Sequence, residues 1–355
     1  MNEINPLLSA GKIGDIEVAN RVVMAPMTRN RANTDGTPNS IMRDYYRQRA
    51  SAGLIVAEGT WPVASGQAYN RQPGIETSAH IKGWRAVTDA VHEAGGKIVL
   101  QIMHAGRIGS HHIKGEGVPT IAPSAIRARG EVHTDSAGMQ SYDTPVALST
   151  EHVWKVIEEH RQAAANAKEA GFDGVELHCT SGYLPMQFLC SDSNQRDDEF
   201  GGSAKGRAKF AEECLRAMAT VFGAGCIGLR MNPGNRFNDT KDAHPQQSHV
   251  ALLEAIADLN MGYLHMMRAP IESIDAFKIG REAYTGSLIV NDGFDAGSAA
   301  KAVADGKADA VSFARHYVAN PDFVKCITEN LQLTKFDRKT LYTPGALGYS
   351  DYPNR

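Results

Sequence analysis

The stretch STEHVWKVIEEHRQAAANAKEAGFDGVELH, residues 149–178, decides the fold class because it holds one complete helix-and-strand unit. Ser149 or Thr150 can cap the helix, apolar residues recur along it at helical spacing, and Gly171 ends it. The segment GVELH at 174–178 is then predicted to be a short buried strand. This order indicates a helix that covers a sheet and leads directly into one of its strands.

The same unit recurs along the chain. Short apolar runs rich in β-branched residues alternate with amphipathic helical patterns, which is typical of a parallel sheet covered by helices. Eight such units predict a (β/α)8 TIM barrel, an α/β fold, in a single domain over residues 1–355. Most of the residues beyond those that the eight units need lie at 105–148, and we expect them to form a long loop on the substrate side. The predicted strands are 22–26, 53–59, 97–103, 174–178, 226–231, 263–267, 287–291 and 310–314.

Composition narrows the classes of function. The 355 residues include 37 Lys and Arg against 40 Asp and Glu, so no basic excess indicates a nucleic-acid partner. No apolar run approaches the ~20 residues of a membrane span, and the N-terminus lacks the pattern of a signal peptide. Five cysteines without CxxC spacing argue against disulfides or a cysteine metal cage. We therefore expect a cytoplasmic monomer or homodimer that acts on a small molecule.

Polar side chains and glycines follow the predicted strands, where barrels of this class place their chemistry. The amide of Gln101 suits the edge of a planar heterocycle, and Arg230 would stabilise such a ring once it gains electrons. Gly293 and Arg315 follow the last two strands, where barrels often bind phosphate. Taken alone, Gln101 is more simply a satisfied interior residue and Arg315 an ion-pair partner, but the shared location of Gly293 and Arg315 favours a phosphate site.

One strand end is unusually rich in functional groups. The stretch ELHCTSGYLPMQFL at 176–189 places an imidazole, a hydroxyl and a phenol within six residues, at His178, Ser181 and Tyr183. With this stretch, the chain resembles the Old Yellow Enzyme family of FMN-dependent ene-reductases over essentially its whole length. The other motifs that carry the resemblance are NRVVMAPMTRNRA (20–32), AEGT (57–60), LQIMHAGR (100–107), SNQRDDEFGGSAKGRAKF (193–210), GLRMNP (228–233), FARHYVANPDF (313–323) and GYSDYP (348–353).

The resemblance implies a barrel that holds FMN at the carboxyl ends of its strands. NAD(P)H would reduce FMN, which would then pass hydride to an activated alkene, an α,β-unsaturated carbonyl compound or a nitroalkene. His178 would donate a hydrogen bond to the substrate oxygen and Tyr183 would protonate the α-carbon. Met103 and Tyr349 would line the substrate pocket. The positions implied to contact FMN are Pro26, Met27, Thr28, Gly59, Gln101, Arg230, Asp292, Gly293, Ala314 and Arg315.

Four residues depart from the family pattern. Met103 takes a position often held by Trp or Leu, which should leave a differently shaped pocket. Ser181 stands where the family usually has His or Asn as the second oxygen donor, so either it donates through water or to a more deeply placed substrate, or ordinary enones are poor substrates. Asp292 replaces a glycine or neutral residue and Ala314 a glycine at the phosphate site. Because a carboxylate facing a phosphate is unfavourable, we expect the Asp292 side chain to point away.

Two other functions remain open at this point. His104, His178 and His265 lie near strand ends, and three histidines can hold zinc in a metal-dependent barrel hydrolase. Alternatively, the altered donor at Ser181 leaves a flavin-binding protein with little ene-reductase turnover.

Overall fold

Eight parallel strands close into a barrel in a computed structural model that describes residues 5–355, so the predicted (β/α)8 fold is confirmed. The first four residues of the predicted 1–355 domain lie outside the described residues. The strands neighbour one another in chain order, as alternating strand and helix units require. Their bounds are β1 Val22–Met24, β2 Leu54–Val56, β3 Ile98–Ile102, β4 Gly174–Cys179, β5 Ile227–Met231, β6 Tyr263–Met267, β7 Ser287–Asn291 and β8 Ala310–Phe313.

Helices cover the outside of the barrel. The helix of the opening stretch begins as predicted, since the Ser149 hydroxyl accepts a hydrogen bond from the backbone N–H of His152, and Gly171 follows its end with φ +87°. Its buried face includes Val153 and Val156. The main helices are α1 Ser40–Arg47, α2 Ser78–Glu93, α3 Thr150–Glu169, α4 Ala204–Phe222, α5 Pro245–Ala255, α6 Ala276–Ala283, α7 Ala296–Ala304 and α8 Phe323–Thr328.

The barrel register aligns polar residues across neighbouring strands. Gln101 on β3 lies opposite Glu176 on β4, and Arg230 on β5 lies opposite both His178 on β4 and His265 on β6. Side chains that share a level in a barrel point to the same side, so this register brings several polar groups together.

The segment 105–148 is more ordered than a plain loop. It contains the short helix His111–Lys114 and an antiparallel hairpin of Glu131–Thr134 with Gly138–Ser141. A further short strand, Ile121–Ala122, pairs with Val146–Ala147. The hairpin borders the cavity described below. No helix within residues 5–355 has the length and apolar character needed to cross a membrane.

Candidate active site

A cavity of about 1190 Å³ opens at the carboxyl ends of the barrel strands. Its wall includes hairpin residues such as Val132 as well as the strand ends. Of the residues that the resemblance implies for the flavin and the substrate, the structure brings together in this cavity all but two. Those that line it are Pro26, Met27, Thr28, Gln101, Met103, His178, Ser181, Tyr183, Arg230, Asp292, Gly293, Ala314 and Arg315.

Tyr349 and Gly59 do not line the cavity. Tyr349 is fully buried, with its ring stacked on Tyr45 at a centroid separation of 3.9 Å. The prediction that Tyr349 lines the substrate pocket is therefore wrong, because packing against the neighbouring core closes it off. Gly59 lies behind Met103: a Cβ at Gly59 would come within 2.6 Å of the Met103 sulfur. Gly59 thus leaves room for the Met103 side chain to pack against it. Met103 lines the cavity, and Gly59 does not.

His178 is a neutral hydrogen-bonding group on the cavity wall. Burial, followed by the nearby cation of Arg230, lowers the pKa of His178 to about 3. Its Nδ1 has no hydrogen-bond partner within the described part of the chain. A neutral imidazole carries one N–H donor, so His178 can donate to a ligand oxygen at neutral pH without carrying charge.

Tyr183 stands beside His178 and is paired with a second phenol. The two rings have centroids 5.2 Å apart, and the Tyr183 hydroxyl lies 2.8 Å from the hydroxyl of Tyr69. Burial, and then the proximity of Tyr69, raise the pKa of Tyr183 well above its ordinary value, so the phenol keeps its proton. Sequence reasoning missed Tyr69, because it lies 114 residues earlier in a loop and no local pattern joins it to Tyr183.

The side-chain amide of Asn238 lies next to Ser181, the residue that departs from the family pattern. Ser181 has a left-handed backbone, with φ +57°, and its carbonyl accepts a 2.8 Å hydrogen bond from Nδ2 of Asn238. Asn238 comes from the segment after β5 and lines the cavity. A Cβ at Gly182 would lie 2.7 Å from Asn238, so glycine is required for the two segments to meet. Sequence reasoning also missed Asn238, which forms part of no strand-end motif.

The cavity floor carries a fixed cation and an oriented amide. Arg230 is 4% exposed, and its Nη2 donates to Oδ1 of Asn291 at 2.8 Å. Burial lowers the pKa of Arg230, yet a guanidinium remains charged in proteins. Gln101 donates from Nε2 to Glu176, which leaves its carbonyl oxygen and one N–H for a ligand.

The end of the cavity near β7 and β8 has the features of an oxyanion site, with one correction. Gly293 adopts φ +78°, and Arg315 begins the short helix Arg315–Ala319 after its N-cap Ala314. The Asp292 carboxylate does not point away: its Oδ1 lies 3.3 Å from Nη2 of Arg315. The prediction that the Asp292 side chain points away was wrong. It rested on repulsion between the carboxylate and a phosphate, whereas attraction to the Arg315 guanidinium determines the observed orientation.

The residues of this cavity fit FMN. The floor provides a cation and an amide for a heterocycle, the wall provides an unpartnered imidazole nitrogen, and one end provides a glycine of positive φ beside an arginine. Among residues 5–355, no three His, Cys, Asp or Glu side chains are grouped so as to hold a metal ion. The histidines of the rival hydrolase hypothesis therefore do not form a metal site.

Known proteins resemble this chain over nearly its full length. Residues 7–334 match the NADH:flavin oxidoreductase / NADH oxidase family. The chain is 40% identical to the "Probable flavin mononucleotide-dependent alkene reductase" of Leishmania infantum, covering 99% of this chain and 96% of that protein. A solved structure of the old yellow enzyme homologue from Zymomonas mobilis is similar, with a TM-score of 0.94, 34% identity, and coverage of 98% and 99% of the two chains. Morphinone reductase in complex with tetrahydroNAD has a TM-score of 0.94 at 37% identity, over 98% of this chain and 97% of that one.

The fold and the cavity define a flavin-binding (β/α)8 barrel. The chain belongs to the NADH:flavin oxidoreductase / NADH oxidase family, and the resemblance to the Old Yellow Enzymes is confirmed.

Proposed function

We propose that this protein is an FMN-dependent oxidoreductase that takes hydride from NAD(P)H and reduces the C=C bond of an activated alkene. One observation carries the proposal: a neutral imidazole and a protonated phenol, His178 and Tyr183, adjoin on one wall of a cavity whose floor holds the cation of Arg230. Bound FMN supplies the hydride chemistry. The relatives are named as an FMN-dependent alkene reductase and a reductase complexed with tetrahydroNAD, which agrees with both cofactors.

His178 would orient and polarise the substrate. A hydrogen bond from its N–H to a carbonyl or nitro oxygen stabilises the negative charge that develops there as the β-carbon gains hydride. Its lowered pKa keeps the ring neutral through the physiological range, so no charged imidazolium has to be desolvated when a substrate enters.

Tyr183 would deliver the proton to the α-carbon. The burial that raises the pKa of Tyr183 keeps its proton in place until a strongly basic enolate or nitronate forms beside it. Tyr69 would hold the phenol in position through the hydroxyl–hydroxyl contact of 2.8 Å.

The remaining cavity residues would hold the cofactor. Gln101 and Arg230 would bind the polar edge of the ring system, and Gly293 with Arg315 would bind the phosphate. The apolar and hydroxyl wall next to β1 would contact the ring; it consists of Pro26, Met27 and Thr28. The cytoplasmic location, the monomer or homodimer state and the single-domain extent stay predictions.

The two half-reactions test the proposal separately. The purified protein, loaded with FMN, is reduced anaerobically with NADPH or NADH, and the visible flavin absorbance should bleach. Addition of 2-cyclohexenone or a nitroalkene should restore it. In Tyr183→Phe the bleaching rate should be unchanged, while recovery with the enone should slow by about 10²–10⁴-fold, the range of general-acid catalysis.

Tyr142→Phe is the matched control, because Tyr142 is another phenol on the same cavity wall with no hydrogen bond to Tyr183. It should leave both half-reactions within a small factor of the parent protein. A colourless protein that takes up no added FMN would overturn the proposal. Loss of bleaching and recovery together in Tyr183→Phe would overturn the proton-donor role.

A further inference from the structure

Beneath the cavity floor, inside the barrel, lies a carboxylate–imidazole pair that the proposed reaction does not use. We infer that Glu176 and His265 form a buried positioning pair that sets the orientation of Gln101, immobilises Arg230 and balances its charge, and so tunes the cofactor site. The inference rests on the proposed function, since it concerns residues proposed to face FMN. Neither Glu176 nor His265 lines the cavity, so they act through their partners.

The pair is fully enclosed and joins two walls of the barrel. Both side chains are 0% exposed. One carboxylate oxygen of Glu176, Oε1, accepts from Nε2 of Gln101 at 2.7 Å, and the other, Oε2, lies 2.8 Å from Nδ1 of His265. The register explains the arrangement, because Glu176 lies opposite Gln101 and His265 lies opposite Arg230.

The partners of His265 determine its tautomer. The Glu176 carboxylate can only accept, so Nδ1 must carry the hydrogen. Nε2 is then the acceptor, and the Ser312 hydroxyl lies 2.7 Å from it. Nη1 of Arg230 lies close to both ring nitrogens, 2.5 Å from Nε2 and 3.0 Å from Nδ1. The single lone pair of Nε2 can accept from only one of these two donors in the ring plane, and a neutral ring keeps a second positive charge away from the guanidinium. Burial and then Arg230 lower the pKa of His265 to about 4, in agreement with this assignment.

This arrangement has a consequence for each floor residue. An amide can usually flip, but the acceptor-only carboxylate fixes the Gln101 NH2 group toward Glu176. The Arg230 guanidinium is held at both ends, with Nη1 at His265 and Nη2 at Asn291. The negative charge of Glu176 offsets the positive charge of Arg230, and the neutral His265 ring lies between them. A core with a merely structural role would not need an ion pair at this place, since apolar residues of similar volume pack as well.

The test measures the binding of FMN in its oxidised and in its reduced state. A structural defect should weaken both equally, whereas an electrostatic change should alter the ratio of the two dissociation constants. Glu176→Gln keeps the shape and removes the charge, which leaves the Arg230 cation uncompensated. A more positive site favours the reduced, negatively charged flavin. The dissociation constant for oxidised FMN relative to that for reduced FMN should therefore rise at least tenfold, equivalent to an increase of about 30 mV in the two-electron midpoint potential.

Controls separate the possible failures. His160→Asn is the matched control for His265→Asn, since His160 is also fully buried and its pKa is likewise lowered to about 4 by burial, but its ring bonds to the backbone carbonyl of Val156 instead of to Glu176 and Arg230. Equal weakening of both oxidation states in Glu176→Gln, with an unchanged potential, would overturn the inference. If Glu176→Gln does not fold, His265→Asn decides: a shifted potential supports the inference and a potential equal to that of His160→Asn overturns it. Failure of the parent protein to bind FMN would instead overturn the proposed function.

Discussion

Removing the charge of Asp292 should tighten FMN binding. The Asp292 carboxylate forms an ion pair with Arg315, with 3.3 Å between Oδ1 and Nη2. Arg315 is the residue proposed to bind the FMN phosphate. Asp292 has φ +78°, and asparagine tolerates this left-handed conformation as well as aspartate does. Asp292→Asn therefore changes the charge with little change in shape or backbone.

The magnitude follows from the separation and the exposure of the pair. Two unit charges 3.3 Å apart interact by about 1.3 kcal/mol in water. The side chains are 70% and 47% exposed, so screening reduces the value toward the ~0.2–1 kcal/mol measured for surface pairs. A phosphate must displace this contact and also meets the repulsion of the carboxylate. We expect a net gain of about 1 kcal/mol, or roughly fivefold in the dissociation constant.

Titration of the apoprotein with FMN, followed by quenching of flavin fluorescence, measures this gain. Riboflavin, which has no phosphate, serves as the ligand control and should bind both proteins alike. The difference between the proteins should also shrink between about 0.01 M and 1 M salt, as the Debye length falls from about 30 Å to 3 Å. Asp305→Asn removes a carboxylate that lies outside the cavity lining and should have no effect.

Two results would refute the reasoning. Unchanged or weaker FMN binding in Asp292→Asn would mean that Asp292 does not compete for the phosphate ligand. Equal tightening of riboflavin would mean that the gain arises away from the phosphate.

Three further predictions concern the catalytic wall and the buried histidines. Ser181→Asn should raise 2-cyclohexenone turnover strongly if the serine makes ordinary enones poor substrates, whereas unchanged or lower turnover would favour donation from Ser181 through water or to a deeper substrate. Tyr69→Phe removes one hydrogen bond to Tyr183, worth about 0.5–1.5 kcal/mol, and should slow flavin reoxidation by the enone roughly 3–10-fold in stopped-flow measurements; equal slowing of flavin reduction would contradict a positioning role. The pKa of His160 is about 4 in the folded protein against about 6.5 unfolded, so the unfolded state binds more protons as pH falls from 6.5 to 4 and folding stability declines. This one group should lower the free energy of unfolding by about 2 kcal/mol between pH 7 and pH 5. In urea titrations at the two pH values, the free energy of unfolding of His160→Asn should therefore fall by about 2 kcal/mol less than that of the parent protein.

Predictions from the sequence were strongest where local pattern decides the outcome. All eight strands were expected close to their observed positions, because the alternation of apolar strands and amphipathic helices recurs eight times. The strand-end residues reached one cavity because closing a parallel barrel brings all carboxyl ends to one face.

Predictions were weakest where side chains from distant segments meet. Tyr349 matched a family motif, yet its ring packs on Tyr45 instead of facing the cavity. The orientation of Asp292 depended on an ion pair with a residue 23 positions away. No periodicity encodes such contacts, because they depend on how loops fold over the finished barrel.

The sequence by itself determined the barrel, its closure in chain order and the identity of the groups at each strand end, since these follow from short-range periodicity and covalent order. Only the tertiary structure decided which groups act together. It placed Tyr69 against Tyr183 and Asn238 against Ser181, and it buried Glu176 and His265 as a pair beneath the floor. Those contacts join residues 57 to 114 positions apart. Such pairings depend on the path of loops and the register between strands, which short-range preferences do not specify.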